Sequence, residues 1–117
     1  MHRFQDLKVY QRSLEFTRTA RQISKSFPKG EQFVLSAQFR RAADSISLNI
    51  SEGAGNDSTR EFSRFLTYSI RSGYECTGCL DIALTNSYIN KEQYCQYAGE
   101  VQEIIAMLVA LHNSFNR

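Results

Sequence analysis

The sequence predicts an all-α protein, a single-domain four-helix bundle in antiparallel up-down order. The chain has 117 residues, a length that suits one domain and leaves no room for a second of ordinary size. It contains one proline and six glycines, too few for an architecture built from many tight turns. Apolar residues recur at helical spacing along four segments of similar length with short connections between them. We therefore treat residues 1–117 as one bundle whose neighbouring helices alternate in direction.

Proline and glycine mark the ends of the first two predicted helices. The first helix covers residues 6–27 and stops where Pro28 and Gly30 both discourage continuation. The second covers residues 32–52 and ends at Gly53, which suits the left-handed residue that closes many helices.

Capping residues mark the start of the last two helices. The third covers residues 58–86 and opens with Ser58 and Glu61, whose spacing predicts a reciprocal capping box. The fourth covers residues 91–114, with Gln93 at the matching position of a weaker box.

Apolar residues on the first two helices are more than one bundle interior can cover. The third and fourth helices each carry a single apolar face, whereas the first and second carry apolar side chains on two sides. A second apolar patch must be exposed or covered by another chain, so we expect a homo-oligomer. The predicted oligomer interface consists of Leu7, Tyr10, Leu14 and Phe33.

Charge is unevenly distributed along the chain. The net charge is +2, yet residues 1–41 hold nine Lys/Arg against three Asp/Glu, whereas residues 42–117 hold five against nine. Such asymmetry favours a basic surface that meets a polyanion. It also fits subunits that dock a basic face on an acidic one, and charge alone does not choose between these interpretations.

Arginines and lysines of the first two helices are the predicted phosphate contacts. Arg40 and Arg41 offer planar donor forks that suit phosphate oxygens, although Asp44 lies one turn away and could hold either in an ion pair. A line of cations on the first helix is more exposed. The predicted nucleic-acid-binding residues are Arg18, Arg21, Lys25, Lys29, Arg40 and Arg41. No motif for sequence-specific recognition of nucleic acid accompanies them, so we expect binding to phosphates that weakens as salt rises.

No residue pattern in the chain predicts catalysis, a metal or a cofactor. His2 and His112 are far apart, and no nucleophile elbow, metal-binding helix or paired carboxylates accompany them. Cys76 and Cys79 lie inside a helical pattern without a second pair, which favours core packing over a redox or metal site. We predict that the protein is not an enzyme.

The expected compartment is the cytoplasm. Three cysteines are an odd number, unlike the even set of a small secreted disulfide framework. Early charges interrupt any signal-peptide pattern, and the uncharged stretch 104–115 is shorter than the ~20 residues of a spanning helix. We expect a soluble chain without a membrane partner.

Five stretches of the sequence carry a family resemblance. They are Phe4-x-Asp6-Leu7-x-Val9-Tyr10, Phe39-Arg40-Arg41-Ala42-Ala43-x-Ser45-Ile46, Asn49-Ile50-Ser51-Glu52-Gly53-Ala54-Gly55, Glu61-Phe62-x-Arg64-Phe65-Leu66 and Ser72-x-x-Glu75. Together they resemble the bacterial four-helix bundle proteins encoded within 23S ribosomal RNA intervening sequences, also called S23-like proteins. That family is similar to the accessory variability determinant of diversity-generating retroelements. The likeness covers nearly the whole chain.

The resemblance implies a homopentameric, ring-like barrel of bundles without known catalysis. It also implies, from the retroelement relatives, a basic surface that binds nucleic acid and a reverse transcriptase. The family often has proline where this chain has Ser47, which puts a kink in the second helix in doubt. The structural family-motif positions are Asn49, Glu52, Gly53 and Gly55. Of these, Asn49 and Glu52 are expected to fasten the second helix to its loop or to a neighbouring subunit.

The function predicted from the sequence is that of a non-enzymatic, oligomeric accessory or scaffold protein. Its basic surface would bind structured RNA or a ribonucleoprotein, either as an intervening-sequence protein or beside a reverse transcriptase. The alternative is a purely protein–protein assembly module without nucleic-acid binding.

Overall fold

Four α-helices make up the fold in the computed structural model, which describes residues 4–115. They are α1 (Lys8–Lys25), α2 (Leu35–Ala54), α3 (Thr59–Thr85) and α4 (Lys91–Ser114). Short 3-10 turns cover Phe4–Asp6 and Lys29–Glu31, and no strand occurs among the described residues. The predicted all-α, four-helix class is confirmed, and the bundle measures 43 × 23 × 20 Å.

Buried serine residues form hydrogen bonds between neighbouring helices, and a residue early in α1 contacts one late in α2. The hydroxyls of Ser13 and Ser47 lie 2.8 Å apart, and nearer the other end of α1 Ser36 donates to the carbonyl of Ser24 at 3.0 Å. Ser69 on α3 donates to a carbonyl of α2 at 2.8 Å. These four hydroxyls and that of Ser24, which donates to the carbonyl of Arg21, are buried yet hydrogen-bonded, which removes most of the cost of burying them. Helix α2 continues without interruption through Ser47.

Aromatic and aliphatic side chains from all four helices form one core. Phe39 is fully buried at its centre, with the ring of Phe16 edge-on at 6.0 Å and that of Phe27 stacked at 6.5 Å between centroids. Each such side chain contributes about 1.5–3 kcal/mol to folding on burial. The other large, fully buried apolar side chains are Ile46, Ile50, Leu66, Leu80, Val101, Ile104 and Leu108.

Helix α2 begins and ends later than the sequence predicts. It starts at Leu35, because the side-chain amide of Gln32 donates to the carbonyls of Ser24 and Phe27 and holds the preceding segment in a turn. At its other end Gly53 is helical, and no described glycine has a positive φ, so the predicted left-handed role is wrong. A Cβ at Gly53 would lie 2.6 Å from the Cβ of Phe65. Glycine stands there because α3 packs directly against this turn of α2.

The full capping box lies at the start of α4, whereas the sequence predicts it at the start of α3. Ser58 accepts from the amide of Glu61 at 3.2 Å, but the Glu61 carboxylate binds Arg64 and does not complete the box. At the start of α4, the side-chain oxygens of Asn90 and Gln93 each accept a hydrogen bond from the other residue's backbone amide at 2.8 Å. The full capping box therefore belongs to α4.

A glycine also sets the packing of α3 against α4. A Cβ at Gly73 would lie 2.7 Å from Cγ1 of Ile105, so only glycine admits that side chain. Glycine at this position therefore lets α4 pack closely against α3.

Candidate nucleic-acid interface

An ion pair across α1 and α2 defines the outer face that these helices share. Arg21 on α1 binds Asp44 on α2, and spacings of three, four or seven residues keep other side chains on the same helix faces. We call this surface the α1–α2 outer face. It comprises Leu14, Arg18, Arg21, Lys25, Arg41, Asp44 and Leu48.

The Arg21–Asp44 pair is bidentate. Nη1 and Nη2 of Arg21 donate to the two carboxylate oxygens at 2.8 and 2.9 Å, and Nη1 also donates to the carbonyl of Thr17. The hydrogen bonds to Asp44 raise the pKa of Arg21. The sequence suggested Arg40 or Arg41 as the partner of Asp44, but neither forms an ion pair with it. The positive charge of Arg21 is therefore already balanced within the chain.

Arg40 is turned toward the α1–α2 connection. It is half-buried, and its guanidinium makes long contacts of 3.3 Å to Ser24 Oγ and 3.5 Å to the carbonyl of Gln32. Ser24 and Gln32 are also joined to each other in the turn before α2, through the Gln32 side-chain amide and the Ser24 carbonyl. The position of Arg40 thus favours a structural role over the predicted contact with phosphate.

Four predicted phosphate-binding cations remain exposed. Arg18, Lys25, Lys29 and Arg41 take part in none of the ion pairs found among residues 4–115. Three of them surround the balanced Arg21–Asp44 pair, and Lys29 follows beyond the end of α1. This arrangement presents several exposed positive groups, which suits a polyanion.

The predicted oligomer interface is divided between the core and the surface. Leu7 and Tyr10 are half-buried and pack against their own core, and Tyr10 lies edge-on to Phe4. Leu14 is 44% exposed and Phe33 is 93% exposed. Leu48 on the α1–α2 outer face, 64% exposed, was not among the predicted interface residues.

The arginines of α3 interact with an aromatic residue that the sequence analysis missed. Arg64 forms two hydrogen bonds with Glu61 and donates to the Tyr68 hydroxyl at 2.9 Å. The guanidinium of Arg71 lies 5.9 Å from the Tyr68 ring centroid, and Arg71 takes part in none of the ion pairs found among residues 4–115. Tyr68 lies four residues after Arg64 and three before Arg71, and this spacing predicts that the three side chains are neighbours on the helix surface.

The paired cysteines belong to the core, as predicted. Cys76 and Cys79 are buried, free thiols. Burial raises the pKa of Cys79 to about 11 and raises that of Cys76 further above its ordinary value. Both therefore stay protonated and unreactive at neutral pH. Within residues 4–115 no three His, Cys, Asp or Glu residues lie close enough to hold a metal ion. His2 lies outside the described residues.

The family-motif positions close the C-terminal end of α2. Asn49 donates to the carbonyl and hydroxyl of Ser45 at 2.8 and 3.0 Å, and Ser45 Oγ is bonded to α3 through Ser72. The carbonyl of Glu52 accepts from Asn56 in the following loop. Gly55 caps the helix through its amide, which donates to the carbonyl of residue 51.

A pocket of about 660 Å³, which the sequence did not predict, opens at the end of the bundle where α1 begins. We call it the end pocket. Its apolar lining consists of Leu7, Ala54, Phe62, Leu111 and Phe115. Among residues 4–115, its polar lining includes Asp6 and Asp57 and no lysine or arginine.

The fold and the α1–α2 outer face define a class, the four-helix bundle proteins that carry exposed cations on one face. The model of the 23S rRNA-intervening sequence protein family matches residues 5–110. The chain belongs to this family, as its motifs indicated.

One solved structure has a similar fold. It is a protein of unknown function from the S23 ribosomal protein family of Bacteroides thetaiotaomicron, with 27% sequence identity and a TM-score of 0.83. The match covers 90% of this chain and 95% of that one. No curated protein matches the sequence. Within residues 4–115, no helix combines the length and the apolar character that crossing a membrane requires.

Proposed function

We propose that this protein is a non-enzymatic, oligomeric accessory or scaffold protein of the cytoplasm. Its α1–α2 outer face contacts the phosphates of structured RNA or of a ribonucleoprotein. The observation that carries the proposal is a set of exposed cations that form no ion pair within residues 4–115, namely Arg18, Lys25, Lys29 and Arg41. Membership of the intervening-sequence family is consistent with an RNA partner.

Phosphate contacts are the recognition mode that this face supports. Lysine and arginine neutralise phosphates and release counterions, so affinity falls steeply with salt and depends little on sequence. A single bundle offers few such contacts. Several copies that present the same face add their contacts to one RNA, which raises the overall affinity.

The copies are proposed to form a ring-like homo-oligomer of antiparallel up-down bundles, a pentamer by family resemblance. The opposite order of the serine contacts supports the up-down arrangement. Exposed Leu14 and Leu48 support contact with another protein surface, because apolar side chains grouped on one face gain from being covered. A reverse transcriptase is a further proposed partner, again by resemblance.

A second candidate function is a protein–protein assembly module without nucleic-acid binding. The Arg21–Asp44 pair favours it, since it removes one cation and adds one acid to the middle of the face. Apolar Leu14 and Leu48 beside this pair resemble the mixed surface of a subunit contact.

The test is RNA binding by variants with matched charge. A labelled RNA hairpin is titrated with protein over a salt series, and binding is followed by gel shift. The double change Arg18→Glu with Lys25→Glu reverses two cations of the face, whereas Arg60→Glu with Lys91→Glu makes the same change in net charge elsewhere. We expect the first variant alone to lose binding and to flatten the salt dependence. Equal loss in both variants, or no binding by the wild type at low salt, would support the assembly module.

A further inference from the structure

The ends of all four helices meet around the end pocket. Leu7 precedes α1, Ala54 ends α2, Phe62 lies in the first turn of α3 and Phe115 follows α4. Side chains from the whole length of the chain therefore surround one cavity of about 660 Å³. This volume lies within the ~300–1,000 Å³ that is typical of sites for small molecules.

The apolar walls of the end pocket keep part of their surface in contact with water. Leu7, Phe62, Leu111 and Phe115 pack against the core of the bundle, yet each of them is only half-buried. An apolar ligand in the pocket would remove this remaining surface from water, which lowers the free energy of the complex. The lining therefore favours a ligand whose body is apolar.

Two aromatic rings in the lining favour an aromatic ligand over a saturated one. The ring centroids of Phe62 and Phe115 are 5.3 Å apart, and the ring planes are tilted by 49°. Aromatic rings attract one another in offset or edge-on contact when their centroids are about 4.5–7 Å apart. A third ring that enters the pocket can make such a contact with both phenylalanines.

Local contacts hold both rings in position before a ligand binds. A Cβ at Gly53 would lie 3.2 Å from Cδ1 of Phe62, so this ring packs directly against the backbone of α2. The amide of Phe115 donates to the carbonyl of His112 at 3.2 Å, which continues the last turn of α4. A site that is ordered in advance loses little conformational freedom on binding.

The polar lining offers hydrogen-bond acceptors to the same ligand. Asp6 and Asp57 are exposed and belong to the lining of the end pocket. An ionised carboxylate accepts hydrogen bonds from hydroxyl and N–H groups. A ligand that carries one such group can therefore orient it toward an aspartate while its rings contact the phenylalanines.

We propose that the end pocket binds a small aromatic compound of one or two fused rings that carries a hydroxyl or N–H group. The rings pack against Phe62 and Phe115, and the polar group faces Asp6 or Asp57. This site shares no residue with the α1–α2 outer face. The inference therefore depends neither on RNA binding nor on self-association.

The first test compares two ligands of similar size by isothermal titration calorimetry with the full chain. 2-Naphthol has two aromatic rings and a hydroxyl, and decahydro-2-naphthol is its saturated analogue. We expect 2-naphthol to bind with a dissociation constant of about 0.1–1 mM, and the analogue to bind about 2- to 10-fold more weakly. Equal affinity would overturn the aromatic class of the ligand. No binding of 2-naphthol at millimolar concentration would overturn the site.

The second test locates the ligand with a tryptophan, a residue that the chain does not contain. Thr59 lines the end pocket, Thr85 does not, and both are exposed residues at the two ends of α3. In Thr59→Trp the new indole can fill the pocket, so we expect its emission at shorter wavelength and 2-naphthol binding at least about 10-fold weaker. The matched control, Thr85→Trp, should show the emission of an exposed indole and the wild-type affinity. Unchanged binding by Thr59→Trp would overturn the location.

A third measurement needs no substitution and therefore decides the location even where a variant does not fold. Backbone amide shifts of the wild type are recorded by NMR during titration with 2-naphthol. We expect the largest shifts at residues of the apolar lining, such as Leu7, Phe62 and Leu111. Shifts confined to other parts of the bundle would overturn the site. Affinity that falls as the protein concentration rises would overturn it too, because a second copy would then cover the pocket.

Discussion

Arg21 and Asp44 join α1 to α2 through two hydrogen bonds of 2.8 and 2.9 Å on the surface of the bundle. Both side chains are partly exposed to solvent, so the pair contributes about 0.2–1 kcal/mol to stability at most. Its larger consequence is electrostatic, because it balances one charge at the centre of the α1–α2 outer face.

Removing Asp44 should strengthen RNA binding. Asp44→Asn frees Arg21, so we expect tighter binding to an RNA hairpin and a salt dependence steeper by about 0.7–0.9 in log–log slope. Glu52→Gln, an exposed change of equal charge at the end of α2, should leave the slope unchanged. Equal slopes for the two variants would contradict a role of this face in binding.

Neutralising Glu100 should stabilise the fold at neutral pH. One carboxylate oxygen of Glu100 is buried without a hydrogen-bond partner, and burial raises the pKa of this group. A raised folded-state pKa means that stability present at low pH is lost as the pH rises through that pKa. Because the side chain is only partly buried, we expect Glu100→Gln to gain up to about 1 kcal/mol at pH 7.

The gain should vanish below the ordinary pKa of glutamate, about 4.3, where the side chain is protonated in both the folded and the unfolded state. Urea unfolding at pH 7 and pH 4 measures the difference. Glu92→Gln, an exposed change on the same helix, is the matched control. A gain for Glu100→Gln that is equal at both pH values would show that ionisation is not its source.

Two glycine-to-alanine changes should have opposite effects. At Gly53 the new methyl would lie 2.6 Å from Phe65 and 3.2 Å from Phe62, so we expect a loss of about 1–3 kcal/mol from overpacking. At Gly78 nothing lies within 4 Å, and alanine should stabilise α3 by about 0.5–1 kcal/mol. Thermal unfolding followed by circular dichroism distinguishes them. Stabilisation by both changes would refute the close contact of α2 with α3.

Glycine at Ser87 should stabilise the end of α3. Ser87 has φ of 61°, and the amides of Tyr88 and Ser87 donate to the carbonyls of Ala83 and Leu84 at 2.8 and 3.0 Å. These are the bonds of a Schellman motif, in which glycine is preferred at the left-handed position. We expect Ser87→Gly to add about 0.5 kcal/mol, after the larger unfolded-state entropy of glycine is subtracted.

The control for this prediction is a serine at another helix end. Ser26 caps α1 with φ of −82°, where glycine relieves no strain. Ser26→Gly should therefore lower the unfolding temperature, whereas Ser87→Gly raises it. A decrease for both variants would contradict the strain at Ser87.

Local sequence determined the four helices and the residues of their core. Helical periodicity, the Pro28 break and the Asn90 capping position depend on neighbours along the chain, and each predicted helix was found within three residues of its expected ends. The burial of Cys76 and Cys79 followed from the same periodicity. Family motifs lie along the whole chain, which is why the family was recognisable before the fold was known.

Tertiary structure alone decided which side chains meet. Asp44 had two suitable arginines on its own helix, yet it binds Arg21, because the facing helix brings that guanidinium into bidentate reach. Phe62 and Phe115, more than fifty residues apart, line one pocket only because α3 begins where α4 ends. Periodicity states which way a side chain points from its own helix. The partner it finds depends on how the helices are placed around a shared core.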